Sequence, residues 1–377
     1  MKETTDDTMM RRALELARKG TGYVSPNPLV GCVITDSEGT ILGEGAHLIF
    51  GGPHAEPNAI ADAEAKGHSV RGATVYVTLE PHCHQGKTMP CSRLLVEKKI
   101  ARCVIAMEDP NPLVNGGGIR ELREAGIEVE VGMCESEAKD LNRFFIKHRT
   151  TGLPYITLKL ASSLDGRSAL MNGESRWITS EASRKIVHQL RAQHDAVLIG
   201  MKTAQIDDPA LTVRLAEGRQ PWRIVLDARL DLALTLQLFT DMHRAKTVVV
   251  TNPKSLEREK KKISELQTAG VEVLPIPAQN DRIDLYALFI ELGKRGMSSV
   301  IVEAGPTLAS AMVASDIFDE IQLFVAPVML GGDAKPSVGP LEMSSLAKIP
   351  HYHLHRAECI ENSDDLLLCI RRQHSEA

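Results

Sequence analysis

Apolar residues near the start of the chain fall at helical spacing: Met10, Ala13, Leu14 and Ala17 share one face, Asp6 to Thr8 offer caps, and Gly20 offers a stop. The pattern then changes. Ser25-Pro26-Asn27-Pro28 reads as a rigid loop, and strand-like runs at 29–35 and 40–46 flank the turn Asp36-Ser37-Glu38-Gly39, which together predict a hairpin. Residues 54–66 are rich in alanine and predict a helix, with Pro57 tolerated because it falls in the first turn. A strand at 73–78, a helix at 92–99, a strand at 102–107, a helix at 118–125, a strand at 128–131 and a helix at 136–148 follow. Strands alternating with helices predict a layered α/β domain.

Thr150-Thr151-Gly152-Leu153-Pro154 ends the last of these helices and restarts extended chain, since glycine and proline both stop helices. We place the domain boundary there, giving domains 1–149 and 150–377. A chain of 377 residues exceeds what one hydrophobic core organises, so two domains are expected on length as well. In the second domain strand signals recur at 155–160, 196–200, 223–226, 247–251, 271–275, 299–303 and 322–327. Helical segments at 180–193, 255–269 and 285–295 lie between them. This predicts a second α/β domain.

Composition narrows the function classes. With 43% hydrophobic residues, 25% charged and a net charge of -5, the chain reads as folded and without a nucleic-acid surface. Seven scattered cysteines, an odd number, fit free thiols in a reducing compartment better than a disulfide framework. The acidic start Met1-Lys2-Glu3-Thr4-Thr5-Asp6-Asp7 is no signal peptide, and no apolar run approaches the roughly 20 residues that span a bilayer. A cytoplasmic protein with no membrane partner is expected.

The candidate chemistry is concentrated in His54-Ala55-Glu56 and in Glu80-Pro81-His82-Cys83-His84-Gln85-Gly86-Lys87-Thr88-Met89-Pro90-Cys91. Catalytic zinc takes three protein ligands, prefers histidine nitrogen and cysteine sulfur, and keeps a fourth position for water. It lowers the pKa of that water from about 15.7 to roughly 7. A glutamate two residues past a ligand histidine can collect the proton and pass it to a substrate ring nitrogen and a departing amine, as in the zinc deaminases. A lone His-x-Glu is usually surface decoration. Its partnership with a soft-ligand cluster about 28 residues later is what gives it weight.

At this point a resemblance is visible. Pro26-Asn27-Pro28-Leu29-Val30-Gly31, His54-Ala55-Glu56, the 80–91 cluster and Asp109-Pro110-Asn111-Pro112 resemble the deaminase half of the bifunctional riboflavin-biosynthesis deaminase/reductase family. Lys159-Leu160-Ala161-Ser162-Ser163-Leu164-Asp165-Gly166-Arg167, Gly173-Glu174-Ser175-Arg176-Trp177-Ile178-Thr179 and Asp207-Asp208-Pro209-Ala210-Leu211-Thr212-Val213-Arg214 resemble its reductase half. The resemblance implies a cytidine-deaminase-like α/β/α layered domain followed by a dihydrofolate-reductase-like α/β domain. It implies zinc-dependent deamination of 2,5-diamino-6-(5-phosphoribosylamino)pyrimidin-4(3H)-one, then NADPH reduction of the ribosyl group to ribityl, in a dimer or tetramer.

Residue by residue, the resemblance implies zinc ligands at His54, at Cys91 and at the position nine before Cys91. That position holds His82 where the family has cysteine. Register favours His82, and Cys83 is the alternative after a small loop shift. Glu56 and Lys159 are implied as catalytic. Asn27, His47, His84, Lys87, Ser175, Arg191, Leu211, Arg214 and Glu303 are implied as substrate contacts, and Ala161, Trp177, Thr203, Asp207 and Gly305 as NADPH contacts. Blander readings stand beside several: Asn27 as turn chemistry, Trp177 as core, Arg191 as a helix face residue, and Asp165 as a turn aspartate rather than a substrate-orienting group.

Two rival functions remain. The first is a reductase whose zinc half is structural or inactive because His82 replaces the usual cysteine, although a structural site has no use for Glu56. The second is a nucleic-acid base deaminase, for which an acidic chain with 4% aromatic residues is poorly equipped.

Overall fold

The computed structural model describes residues 5–83, 89–111, 115–175, 177–345 and 349–372. The chain divides into two units, Met1–Gly152 and Leu153–Ala377. The division falls slightly later than expected because the last helix of the first unit runs on to Thr151. Gly152, at φ 71°, ends it in the left-handed conformation that glycine takes without cost.

The first unit has a sheet of β1 (Gly31–Thr35), β2 (Ile41–Ala46), β3 (Thr74–Val77), β4 (Arg102–Ile105) and β5 (Glu128–Val131), ordered β2-β1-β3-β4-β5. β1 is antiparallel to both neighbours, whereas β3, β4 and β5 are parallel. Among the described residues six helices accompany it: α1 (Thr5–Arg18), α2 (Ala55–Ala65), α3 (Cys91–Glu97), α4 (Gly117–Glu124), α5 (Glu135–Leu141) and α6 (Arg143–Thr151). Strand alternation sorts the core into two layers. Cys32, Ile34, Val75, Val77, Cys103 and Ile105 pack with Ala55, Ala59, Leu95 and Leu122, while Val33, Tyr76 and Val104 pack with Met10, Ala13 and Phe145 on the other face.

Two local features bear on the site. A Cβ on Gly45 would lie 2.3 Å from both Ala55 O and Ala59 N, so only glycine lets the start of α2 settle on β2. The single helix expected at 136–148 is two helices, broken at Asn142. That side chain accepts from Leu29 N at 2.8 Å and donates to Leu29 O at 3.0 Å, pinning the backbone of the proline-rich loop.

In the second unit the strands are β6 (Tyr155–Ser163), β7 (Arg167–Ala169), β8 (Ala196–Gly200), β9 (Trp222–Leu226), β10 (Thr247–Thr251), β11 (Glu272–Pro275), β12 (Ala278–Gln279), β13 (Arg282–Ile283), β14 (Ser299–Glu303), β15 (Glu320–Ala326), β16 (Lys335–Pro336), β17 (Tyr352–Cys359) and β18 (Leu366–Arg372). Nine of them form one sheet, ordered β11-β10-β9-β8-β14-β6-β15-β18-β17. Every pairing from β11 to β15 is parallel, and only β18 and β17 run antiparallel at the edge. The parallel strands are near-continuous apolar runs such as Val248, Val249 and Val250, as expected where both faces are covered. β14, late in sequence, inserts between β6 and β8. Parallel α/β sheets bind ligands beyond strand carboxyl ends where the order switches, which directs attention to the ends of β6, β8 and β14.

Candidate active sites

Three separate elements of the first unit bring the soft ligands together. His54 is the N-cap of α2, Cys91 opens α3, and His82 lies in the loop that leaves β3. One ligand atom from each falls within 4.8 Å of the others. His54 Nδ1 is 3.5 Å from Cys91 Sγ, and the His54 and His82 ring centroids are 4.7 Å apart. Zinc bonds of about 2.0–2.3 Å in a tetrahedron put ligand atoms roughly 3.3–3.6 Å apart, so this donor set suits one ion. Cys83 faces elsewhere: its Sγ would lie 2.7 Å from a Cβ built on Gly117.

Glu56, in the first turn of α2, is buried and hydrogen-bonded with Cys91. Burial raises its carboxyl pKa, and burial together with the Glu56 charge raises the Cys91 thiol. A metal is what would hold such a buried thiol as thiolate. His47 is buried beside them, its ring 5.3 Å from that of His54. Its Nδ1 donates to Pro53 O at 2.9 Å, which leaves Nε2 to accept from Asn27 Nδ2 at 3.2 Å. His84 and Lys87 lie outside the described residues, as does Arg176 of the second-domain motif.

The loop carrying His82 is clamped by Glu80, a residue that sequence reading left without a role. Its Oε2 accepts from Asp109 N at 3.2 Å and Gly116 N at 3.0 Å, and its Oε1 from Gly118 N at 2.9 Å and Ile119 N at 3.3 Å. It thereby serves as the cap of α4. Ser92 N and Ser92 Oγ both donate to His82 O, at 3.3 Å and 3.2 Å. The signal for Glu80 was a carboxylate at the end of an apolar strand, too common to single out. Glu80→Gln keeps the shape but turns one acceptor into a donor, and we expect a loss of about 3 kcal/mol from the deaminase unit. Denaturant unfolding of the full chain measures it, and a change below about 1 kcal/mol would remove the clamp from this account.

In the second unit Lys159 on β6 pairs in register with Glu303, the last residue of β14. Arg191, on the helix Glu181–Gln193, grips Glu303 with both arms: Nε to Oε1 at 2.5 Å and Nη2 to Oε2 at 2.8 Å. Its Nη1 donates to Thr212 O at 3.1 Å. Burial lowers the Lys159 pKa, partly opposed by Glu303. Burial works to raise the Glu303 carboxyl, but Arg191 together with Lys159 and His188 outweighs it and the net shift is downward. His188, one turn earlier on the same helix, accepts from Arg214 N at 3.1 Å through Nδ1; burial and the two arginines lower its pKa to about 4.

Gly305 is the N-cap of the helix Pro306–Ser315 and has no side chain with which to cap it. A Cβ on Gly305 would meet Thr203 Oγ1 at 3.3 Å, so the turn after β14 and the helix Met201–Asp207 approach closely through a residue without a side chain. An uncapped helix start beside a hydroxyl suits a cofactor phosphate.

Comparison with known proteins bears on both units. Residues 3–107 match the family model of the cytidine and deoxycytidylate deaminase zinc-binding region, and residues 154–367 match that of the RibD C-terminal domain. The riboflavin biosynthesis protein RibD of Escherichia coli K12 is 42% identical over 361 residues, spanning 92% of this chain and 94% of that protein. The chain belongs to the RibD family. The RibD of Bacillus amyloliquefaciens is also 42% identical, over 92% of this chain and 91% of its own. Acinetobacter baumannii RibD superposes with a TM-score of 0.86 at 37% identity, covering 98% of this chain and 99% of that one. The Thermotoga maritima diaminohydroxyphosphoribosylaminopyrimidine deaminase/5-amino-6-(5-phosphoribosylamino)uracil reductase gives 0.85 at 36%, again over 98% and 99%.

As a RibD-family chain, the protein is a riboflavin-biosynthesis deaminase and reductase that uses zinc and NADPH. The reductase-only alternative is therefore not favoured. Among the described residues no helix is long and apolar enough to cross a membrane. The RibD residues inferred from sequence distribute unevenly in the structure. His54, His82, Cys91, Glu56, His47 and Asn27 converge in the first unit; in the second, Lys159 in the middle of β6 pairs with Glu303 at the end of β14, which Arg191 holds, and Thr203 lies against Gly305 just beyond.

Others sit differently from their simplest readings. Trp177 is no core residue: it is 66% exposed, with the Arg184 guanidinium 4.1 Å from its ring centroid. Arg191 is not an exposed face residue, and its fork is already engaged by Glu303 rather than held open for phosphate. Leu211 is buried at φ 52°, an uncommon conformation for leucine, just before Thr212, whose carbonyl Arg191 holds. Arg214 is exposed, while Ser175, Asp207 and Ala161 are half-buried. Asp165 ties down a loop: Ser163 Oγ donates to it at 2.5 Å, and Leu330 N and Gly331 N at 3.2 Å and 2.8 Å, so its pKa falls to about 2.

Proposed function

We propose that the first unit deaminates the diaminopyrimidinone phosphoribosylamine named above and that the second reduces the ribose of the product. The observation that carries the reading is the convergence of His54, His82 and Cys91 beside a buried Glu56. In this reading those three residues hold zinc, which when bound supplies a strongly acidified water. Glu56 would accept one proton from the attacking water and deliver it to the ring nitrogen, and would carry the second from the added hydroxyl to the amine. As the carbon–oxygen bond forms and the carbon–nitrogen bond breaks, the ring carbon becomes a carbonyl and ammonia leaves. Burial raises the Glu56 pKa above that of a solvated carboxyl, which favours its taking up a proton. The His47–Asn27 pair orients the pyrimidine edge, and Lys87 and His84 receive the phosphate.

For the second step, NADPH supplies the hydride when bound. Thr203, Gly305 and the start of the helix Pro306–Ser315, together with Ala161, Trp177 and Asp207, hold that cofactor. Substrate lies against Ser175, Leu211, Arg214 and the Arg191–Glu303 pair. As the ribose opens, its ring oxygen leaves C1 and takes a proton from Lys159, and C1 then accepts the hydride. Glu303, held by Arg191, keeps the Lys159 ammonium aimed at the substrate. The protein acts in the cytoplasm as a homo-oligomer, a dimer or tetramer.

An anaerobic assay with the diaminopyrimidinone substrate tests the order. Ammonia is expected first and NADPH oxidation second; chelator stops both with this substrate but leaves NADPH oxidation of pre-deaminated substrate running. NADPH oxidation of pre-deaminated substrate without any ammonia release from the parent compound would overturn the zinc half of the reading.

A further inference from the structure

The position where the family carries its second cysteine holds His82, and the neighbouring thiol of Cys83 is turned away. We infer that the metal centre of this chain is a one-thiolate, two-imidazole site, with Cys83 a spectator, and that it discriminates less between zinc and borderline divalent ions such as cobalt(II) than a two-thiolate centre would. The inference rests on the ligand set proposed above and goes beyond it in assigning the charge and metal preference of the centre.

Exchange of His82 for Cys83 requires the loop to slip by one residue, roughly 3.3–3.8 Å along the chain. Four contacts oppose it. The Glu80 carboxylate is fixed by four backbone N–H groups of the 109–119 segment. The Pro81 carbonyl is pressed onto Gly118, where a Cβ would lie only 1.9 Å from Pro81 O. The His82 carbonyl accepts from both Ser92 N and Ser92 Oγ, next to the ligand Cys91. The Cys83 sulfur rests on Gly117. A slip would break the first three and drive a side chain into a glycine-lined contact.

Successive side chains of an extended loop point to opposite sides, so with 82 facing His54 and Cys91, 83 faces α4. The resulting centre carries one anionic sulfur instead of two. Thiolates favour zinc and other soft ions, while imidazole serves zinc, cobalt, nickel and iron more evenly. Replacing one sulfur by nitrogen therefore removes part of the preference for zinc.

The test uses the full chain, stripped with chelator and reloaded with cobalt(II), whose thiolate charge-transfer absorption scales with the number of sulfur ligands. Cys83→Ser is expected to leave that band unchanged, Cys91→Ser to abolish it, and His82→Cys to raise it about twofold. Zinc-over-cobalt preference, from competition titration, is expected to rise about tenfold in His82→Cys, equivalent to about 1.4 kcal/mol. Denaturant unfolding of the full chain, read for the first unit, confirms that each variant is folded. A weaker band in Cys83→Ser, an unchanged band or preference in His82→Cys, or no cobalt uptake by the parent chain would overturn the inference. Ammonia release by the zinc-loaded parent is scored separately. Its absence alongside a one-thiolate spectrum sinks the deaminase roles alone, and its presence alongside a two-thiolate spectrum sinks only this inference.

Discussion

Glu56→Gln is expected to lower ammonia release by about 10²–10⁴-fold while leaving NADPH oxidation of pre-deaminated substrate unchanged. Glutamine preserves the volume and the hydrogen bond toward Cys91, so the ligand set stays in place and bound zinc, measured by metal analysis, stays at one per chain. What is lost is the one carboxylate positioned to carry a proton between water and amine. No other carboxylate joins the described cluster, because Glu80 spends both oxygens on backbone donors. A loss below about tenfold with zinc retained would mean that another group moves the proton. A loss accompanied by missing zinc would instead make Glu56 a support of the metal.

The second large effect is in the other unit. Lys159→Met fills the same space without the amine, and NADPH oxidation is expected to fall about 10²–10³-fold with ammonia release unaffected. The pH profile carries the sharper test. Lys159 must be protonated to give its proton to the ribose oxygen, so reduction slows as pH rises through its pKa. Burial lowers that pKa below the ordinary 10.5, so the alkaline limb comes earlier than for a solvated lysine. In Lys159→Arg the group stays protonated throughout, and the residual rate is expected to lose this limb. Persistence of the limb in the arginine variant would assign it to another residue, and near-normal reduction by the methionine variant would end the case for Lys159.

Much of the architecture was legible because it is written locally. The apolar period of Met10 to Ala17, the hairpin around Asp36 to Gly39 and the β-branched run at Thr247 to Thr251 each depend on residues close in sequence, and each appears as an element. One misreading came where a distant residue decides. The helix at 136–148 breaks because Asn142 spends its side chain on Leu29, over a hundred positions away. The strand Tyr352–Cys359 escaped notice because it is largely exposed and its alternation is reset by a bulge between Leu354 and Arg356; Leu366–Arg372, an apolar run with alternate residues buried, was missed although its signal is local.

The candidate site divides in the same way. The sequence by itself determined the two α/β units, and residue type and spacing singled out His54, Glu56 and Cys91 as candidate chemistry, whereas the reductase motifs and Lys159 came forward through resemblance to a family. Tertiary structure fixed what register had only favoured, that His82 rather than Cys83 turns toward His54 and Cys91, and it alone decided that Arg191 is buried and holds Glu303. The first is a matter of loop register, set by Glu80 against backbone donors that lie some thirty or more positions on; the second is a matter of which strand β14 inserts beside. Both depend on packing between segments far apart in the chain, which the spacing to Cys91 could favour in the first case but not fix, and which spacing does not carry at all in the second.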